Sequence, residues 1–369
     1  MVGKFLDSKH RKYICRGVVL VTKMSNNAGT SRTSEEARKN LSVTASKKSG
    51  PFLEARARGA FRRRLLVWYD AHRRDLPWRK DRDPYRVWLS EIMLQQTRVA
   101  AVIEKYAQFL GLFPTVEHLA AATQASVLAA WSGLGYYRRA RALHEAARAI
   151  VRERGGECPA TAEEWRELPG IGRYTSAAIA SIAFGEKVAV VDGNVERVAE
   201  RLLGRRLVAA EVWILAEELL SRQRPGDFNQ AMMELGATVC IPREPKCLLC
   251  PVAGECATKG NLPQTEKMQR TTKATVFYAL DCRDGKVRLT QRPGTAAVMP
   301  SMWELPEALA NGSEPEVWLR LKHSIMSTNY DVRVVRGDGK VGKRVAVARL
   351  GEIPLTGLAR KILRAAEIL

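Results

Sequence analysis

No stretch of this 369-residue chain reaches the roughly 18 consecutive apolar residues that a membrane-spanning helix requires. The one apolar run near the start, Gly17-Val18-Val19-Leu20-Val21, is also too short for the core of a signal peptide. These absences argue against spanning and secreted classes and leave a cytoplasmic protein with no membrane partner as the expectation. Residues 1–52 are low in aromatics and rich in Ser, Thr, Asn and Lys, so they are expected to form a disordered basic extension. Within it, Met24-Ser25-Asn26 offers an alternative start. Acidic residues are scarce throughout: 39 Asp and Glu face 60 Lys and Arg, for a formal charge of +21. By count the first 52 residues carry +8 and the remainder +13, so the excess is not confined to the tail. It favours a polyanionic partner.

From Phe52 to Cys256 strand alternation is missing, and helices bounded by Gly and Pro take its place. Asp83-Pro84 precedes the clearest, expected over Tyr85 to Leu110, with Val87, Trp88, Ile92, Val99, Val102, Ile103 and Tyr106 at helical spacing. Glu91, Gln95 and Arg98 stand at i, i+4 and i+7 and read as one polar stripe on it. Such a stripe is usually a solvated face. Glu91, however, lies among large apolar residues, where burial would raise its pKa and suit it to general-acid work near neutrality.

Further along, in the thirty positions from 168 to 197, the chemistry thickens. In Leu168-Pro169-Gly170-Ile171-Gly172 the glycines allow close backbone approach to an anion, and the helix that follows would aim unpaired N–H groups at it. Thr175 to Phe184 reads as a helix with Gly185 as its C-cap, and Val195 to Leu203 as the next helix. Asp192, between them, reads either as a plain helix N-cap or as a functional carboxylate. Four of the seven cysteines, Cys240, Cys247, Cys250 and Cys256, form a C-x6-C-x2-C-x5-C array, a thiolate ligand set for zinc or an iron–sulfur cluster. The spacing does not choose between them. Cys15, Cys158 and Cys282 are isolated and expected to be reduced thiols.

These motifs carry a resemblance. Leu76-Pro77-Trp78-Arg79, the run SEIMLQQT from Ser90, Gly133-Leu134-Gly135-Tyr136-Tyr137, LPGIGRYT from Leu168, VDGNVERV from Val191, and Asn229-Gln230-Ala231-Met232-Met233-Glu234-Leu235-Gly236 occur in family order. From about Leu76 to Cys256 the chain resembles a MutY-type adenine DNA glycosylase of the helix-hairpin-helix superfamily, relatives of endonuclease III. The resemblance implies a mainly α helix-hairpin-helix glycosylase core over residues 53–256 with an iron–sulfur cluster loop. It also implies a linker at 257–272 and a smaller α+β Nudix-like domain over 273–369. Strands are expected at Ala274 to Asp281, Lys286 to Gln291, Tyr330 to Val335 and Arg344 to Arg349. The Glu-rich Nudix box is absent, which argues against pyrophosphohydrolase activity.

By the same resemblance Glu91 is the acid that protonates adenine N7 and Asp192 the carboxylate that stabilises the oxocarbenium-like sugar, with Asn194 and Tyr174 in the catalytic group. Arg74, Trp78, Leu94, Gln96 and Gln230 shape the adenine pocket. Thr97, Tyr136 (a wedge into the base stack), Gly170, Ile171 and Gly172 contact DNA. Endonuclease III-like enzymes carry a lysine where this chain has Tyr174, so base removal without a lyase step is expected. The four cysteines are implied to hold a [4Fe–4S] cluster, with Arg243 and Lys246 placed for phosphate contact. The partner is double-stranded DNA bearing A:8-oxoguanine or A:G mispairs, bound by a nucleoid-associated monomer. Where the family places Phe-Ser-His in its lesion-reading loop this chain has Ile325-Met326-Ser327, leaving Ser324 or Ser327 to substitute. The competing readings are a bifunctional endonuclease III-type lyase and a non-enzymatic, cluster-bearing DNA-binding module.

Overall fold

The computed structural model describes residues 52–263, 272–296, 298–308, 316–325, 327–337 and 341–369; the expected extension up to residue 51 and half of the expected linker lie outside them. The first half is helical: α1 (Ala55–His72), α2 (Pro84–Leu94), α3 (Val99–Leu112), α4 (Val116–Ala121), α5 (Gln124–Ala130), α6 (Arg138–Arg154), α7 (Ala162–Arg166), α8 (Arg173–Ala183), α9 (Gly193–Leu203), α10 (Ala209–Leu219) and α11 (Pro225–Thr238). Local chemistry sets their ends. Asp83 caps α2 by accepting from Arg86 N–H, with Pro84 at the first position. Thr161 and Glu164 form a reciprocal capping box on α7. Gly155 and Gly204 terminate α6 and α9 in the left-handed conformation.

Two apolar cores organise the helices. The larger gathers Trp88, Trp131 and Trp165, each with no exposed surface, around α2, α6 and α8. The second gathers Phe61, Leu65, Phe228 and Leu235 from α1 and α11, with residues of α9 and α10. Phe52, placed at the end of the expected extension, already packs against this second core. The start of the expected linker is also ordered, since Ala257 and Thr258 N–H groups donate to the carbonyls of Leu202 and Arg201.

One expected helix is two. The apolar periodicity runs on from Tyr85 to Leu110, but the backbone breaks after Leu94, and Gln96 adopts φ +55°. Gln95 and Arg98 therefore leave the helix face that carries Glu91, and the polar stripe does not form. Contacts within the segment and beyond it hold the break. Thr97 N–H donates to Leu94 O, and Gln95 Nε2 donates to Thr175 Oγ1 on α8 (3.1 Å).

The C-terminal part is α+β. β1 (Thr272–Leu280), β2 (Cys282–Arg283), β3 (Lys286–Gln291), β4 (Trp303–Glu304), β5 (Leu319–Ile325), β6 (Thr328–Arg336) and β7 (Lys343–Ala346) precede α12 (Gly357–Ala365). They make two sheets. In one, β6 lies between β1, with which it is parallel, and β5, with which it is antiparallel; in the other, β3 pairs antiparallel with β2, β4 and β7. The expected last strand stops at Ala346, and Val347–Arg349 form a 3-10 turn. Leu358, Ile362 and Leu363 of α12 close the core formed by both sheets. This region meets the helices directly: Tyr137 O–H donates to Leu355 O (3.0 Å), Arg141 bonds Pro300 O, and Met302 belongs to the larger helical core.

Candidate active site

A cavity of about 580 Å3 opens at the seam between the two helical cores, within the roughly 300–1,000 Å3 typical of small-ligand sites. Three elements deliver its carboxyl chemistry: α2 brings Glu91, the hairpin helix α8 brings Tyr174, and the N-terminus of α9 brings Asp192. Glu91 is 6 % exposed. Tyr174 O–H donates to its Oε2 at 2.6 Å. Burial pushes the Glu91 carboxyl up to about 7; the Tyr174 hydrogen bond opposes this, the nearby charge of Asp192 reinforces it, and Arg79 opposes it. Burial likewise holds the Tyr174 phenol well above its ordinary value, so it stays a donor. With Oε2 engaged by the phenol, the carboxyl proton is left to Oε1.

Asp192 caps α9 and also lines the cavity. Its Oδ1 accepts from the N–H groups of Asn194 (2.9 Å) and Val195 (2.8 Å), capping α9, while Oδ2 accepts from Asn194 Nδ2 (2.8 Å). The side chain is thus fixed in orientation beside the cavity. Asn194 is itself pressed from behind. At Gly236 of α11 a Cβ would lie 2.6 Å from Asn194 Cβ and 3.0 Å from its carbonyl oxygen, so only glycine permits this helix crossing.

Arg74, Trp78, Leu94, Gln96, Gln230 and Thr97 all line the same cavity. Trp78 is buried and meets Tyr106 edge-on at 5.5 Å. Arg74 is bound rather than free. Its Nε and Nη2 donate to the two oxygens of Glu234 (2.6 and 2.8 Å), and Arg79 Nη2 adds a third bond (2.9 Å). Burial alone would raise the Glu234 carboxyl, but these hydrogen bonds hold it below its ordinary value. The sequence reading missed Glu234: it lay in a quoted motif, yet its partners are 155 and 160 residues away.

The expected DNA contacts divide. Gly170 (φ +74°) and Gly172 are exposed in the turn between α7 and α8, and no side chain caps the start of α8. That leaves the helix's first N–H groups facing outward. A Cβ at Gly170 would strike Ala142 Cβ at 2.4 Å. Ile171 turns its side chain into the larger core, where it is 7 % exposed, and its N–H donates to Leu168 O. The turn presents its glycines and is anchored by its isoleucine. Tyr136 is 55 % exposed with φ +46°. Ser324 and Ser327 are exposed at the β5–β6 turn, Ser324 Oγ bonding Asn329 Oδ1; Met326 lies outside the described residues.

The four cysteines of the array line one small cavity of about 30 Å3, together with Arg201, Lys246 and Lys259. Arg201 Nη1 lies 3.2 Å from Cys240 Sγ, and Lys259 N–H donates to Cys256 Sγ at 3.5 Å. Four thiols lining one cavity, with donors aimed at two of the sulfurs, have the ligand chemistry of a thiolate-held cluster. Arg243 and Lys246 are exposed on the loop. Among the described residues, no three His, Cys, Asp or Glu side chains are gathered closely enough to hold a single metal ion, and no helix is long and apolar enough to cross a membrane.

Residues 89–211 match the HhH-GPD superfamily of base excision DNA repair proteins. The chain is 50% identical to a human adenine DNA glycosylase over 222 residues, covering 56% of this chain and 41% of that protein. An Arabidopsis thaliana adenine DNA glycosylase is 38% identical over 298 residues, covering 67% of this chain and 47% of that one. The chain thus spans less than half the length of these two relatives. Among solved structures, a thermostable thymine-DNA glycosylase superposes with a TM-score of 0.53 at 33% identity, covering 55% of this chain and 97% of the other.

Proposed function

Because the chain belongs to the HhH-GPD superfamily of base excision DNA repair proteins, we propose that it is a monofunctional DNA glycosylase. In this reading it extrudes adenine mispaired with 8-oxoguanine or guanine, hydrolyses its N-glycosidic bond and leaves an abasic site. The observation that carries the reading is Glu91: a buried carboxyl raised to about 7, bound on one oxygen by Tyr174, facing a cavity that also holds the fixed Asp192 carboxylate. Glu91 delivers its proton to adenine N7, so the base leaves neutral. Asp192, fixed by its cap hydrogen bonds, stabilises the positive charge that develops on the sugar. A proton donor and a second carboxyl on one cavity are what glycosidic cleavage asks for. Arg74, Trp78, Leu94, Gln96 and Gln230 enclose the extruded base, Asn194 orients Asp192, and Tyr136 takes the place vacated in the stack. A phenol at position 174 cannot form the imine that a lysine would, so strand cleavage does not follow base loss.

The cysteine cavity supports a [4Fe–4S] cluster held by Cys240, Cys247, Cys250 and Cys256, whose duty is to order the loop that presents Arg243 and Lys246 to phosphate. Iron and acid-labile sulfide in equal amounts, with visible absorption, is the expected analysis; stoichiometric zinc in a colourless protein would refute it. The C-terminal sheets serve as a Nudix-like module reading the opposite strand through the β5–β6 turn.

A second reading, thymine removal, is favoured by the solved thymine-DNA glycosylase. One assay separates them: single-turnover base release from duplexes with A opposite 8-oxoguanine, A opposite G, T opposite G, and thymine glycol, for the native chain and Glu91→Gln, with borohydride in a parallel arm. Adenine release that Glu91→Gln loses by at least about 100-fold, without trapped adduct, is expected. Release of thymine or thymine glycol alone, full activity of Glu91→Gln, or adduct matching base release would overturn the reading.

A further inference from the structure

We infer that Arg139 is a positioning residue that couples Tyr136 to the helix carrying Glu91, an inference that rests on the function proposed above. Arg139 stands on the first turn of α6, half-buried, and its guanidinium grips two segments at once. Nη1 donates to Ile92 O (2.7 Å), Met93 O (3.0 Å) and Gln95 O (2.6 Å). Nη2 donates to Thr97 Oγ1 (3.1 Å), Leu134 O (3.0 Å) and Gly135 O (3.2 Å). The same group lies over the rings of Tyr136 (5.5 Å) and Trp131 (5.4 Å).

Several features set this apart from an arginine that merely fills space. Its oxygen partners are five carbonyls and one hydroxyl, with no carboxylate among them. The cation sits against the last carbonyls of α2, the negative end of that helix, one turn beyond Glu91. Gln96 and Tyr136 are the two non-glycine residues with left-handed backbone in the cavity wall and the wedge loop. Arg139 holds the peptide oxygen immediately before each, Gln95 O and Gly135 O. Such conformations persist only where the surroundings over-determine them. One planar fork therefore keeps both in place, and displacing Tyr136 into a base stack pulls on the same group that shapes the end of α2. Nε has no partner among the described residues, so the whole grip runs through the two Nη atoms. Lysine, a point donor, cannot span the two segments.

The test is a double-mutant cycle of Arg139→Lys with Tyr136→Leu on duplex containing A opposite 8-oxoguanine. Single-turnover excision rate and duplex Kd are measured separately, and hydrogen exchange is measured on the free protein. Arg139→Lys is expected to slow excision by about 10-fold or more while Kd stays within about threefold, and the double variant to be about as slow as the slower single. Hydrogen exchange should quicken together at residues 95–98 and 133–137. Multiplying rate effects, or faster exchange at one segment only, would overturn the coupling. If Arg139→Lys fails to fold, Thr97→Val, which removes one of the six acceptors, must show the same paired change in exchange; its absence counts against the inference. Should the native chain release no adenine, the proposed function falls, and hydrogen exchange still decides the coupling.

Discussion

Glu91 keeps its proton near neutrality because burial outweighs the phenol that favours its ionised form. The sign of the consequence is fixed. Below about 4.5 the carboxyl is protonated in the folded and unfolded states alike, and it costs nothing. As pH rises towards 7 the unfolded chain gives up the proton while the folded chain retains it, so stability falls by about 3 kcal/mol in all. Urea unfolding of native chain and Glu91→Gln should therefore diverge from pH 5 to pH 8 in favour of the variant; parallel curves would contradict a buried, raised carboxyl. With Glu91 as the proposed acid, excision should decline as pH rises through about 7. That Glu91 and Asp192 line one cavity and the four cysteines another accords with the short local pattern in which each sits. Glu234 and Arg139 were not legible in the chain, since an arginine or glutamate among many gains its meaning only from partners that folding brings close. Ile171 also lies in a short motif, and its side chain serves the core.

At the scale of elements, the break between α2 and α3 is the instructive departure. Nothing in Gln95-Gln96-Thr97-Arg98 is a helix breaker, and the apolar spacing continues through it. What interrupts the helix is tertiary: Arg139 claims Gln95 O, and Gln95 itself reaches Thr175. β5 was missed because Leu319–Ile325 carries one β-branched residue and interleaves Arg, Lys and Ser, a weak strand signal that pairing with β6 overrides. The hairpin turn after α7, by contrast, falls where its glycines announced it. The crossing of α9 and α11 gives a prediction of its own. Gly236→Ala would push Asn194, and through it Asp192, out of place. The expected outcome is a loss of about 1–3 kcal/mol in unfolding free energy and at least about a tenfold slower excision, with duplex Kd changed far less. A variant with native rate and stability would show that the close approach is not required.

For the molecule as a whole, composition marked a change of texture after Cys256, and the change is real, from helices to sheets. Yet the two parts are locked together. Met302 fills a place in the larger helical core with no exposed surface, and Ser132 Oγ and Tyr137 O–H both bond Leu355 O next to the loop that carries Tyr136. A fragment comprising residues 51–256 should melt at least about 5 °C below the full chain, since a lost core methionine and two stripped hydroxyl partners are worth a few kcal/mol. Equal melting temperatures would mean the contact is superficial. The Leu355 tether has a further consequence for inheritance and engineering. A catalytic half exchanged between relatives brings along hydroxyls shaped for one particular partner, so chimeras joined at this boundary should succeed only when the segment around Leu355 travels with the helices it serves.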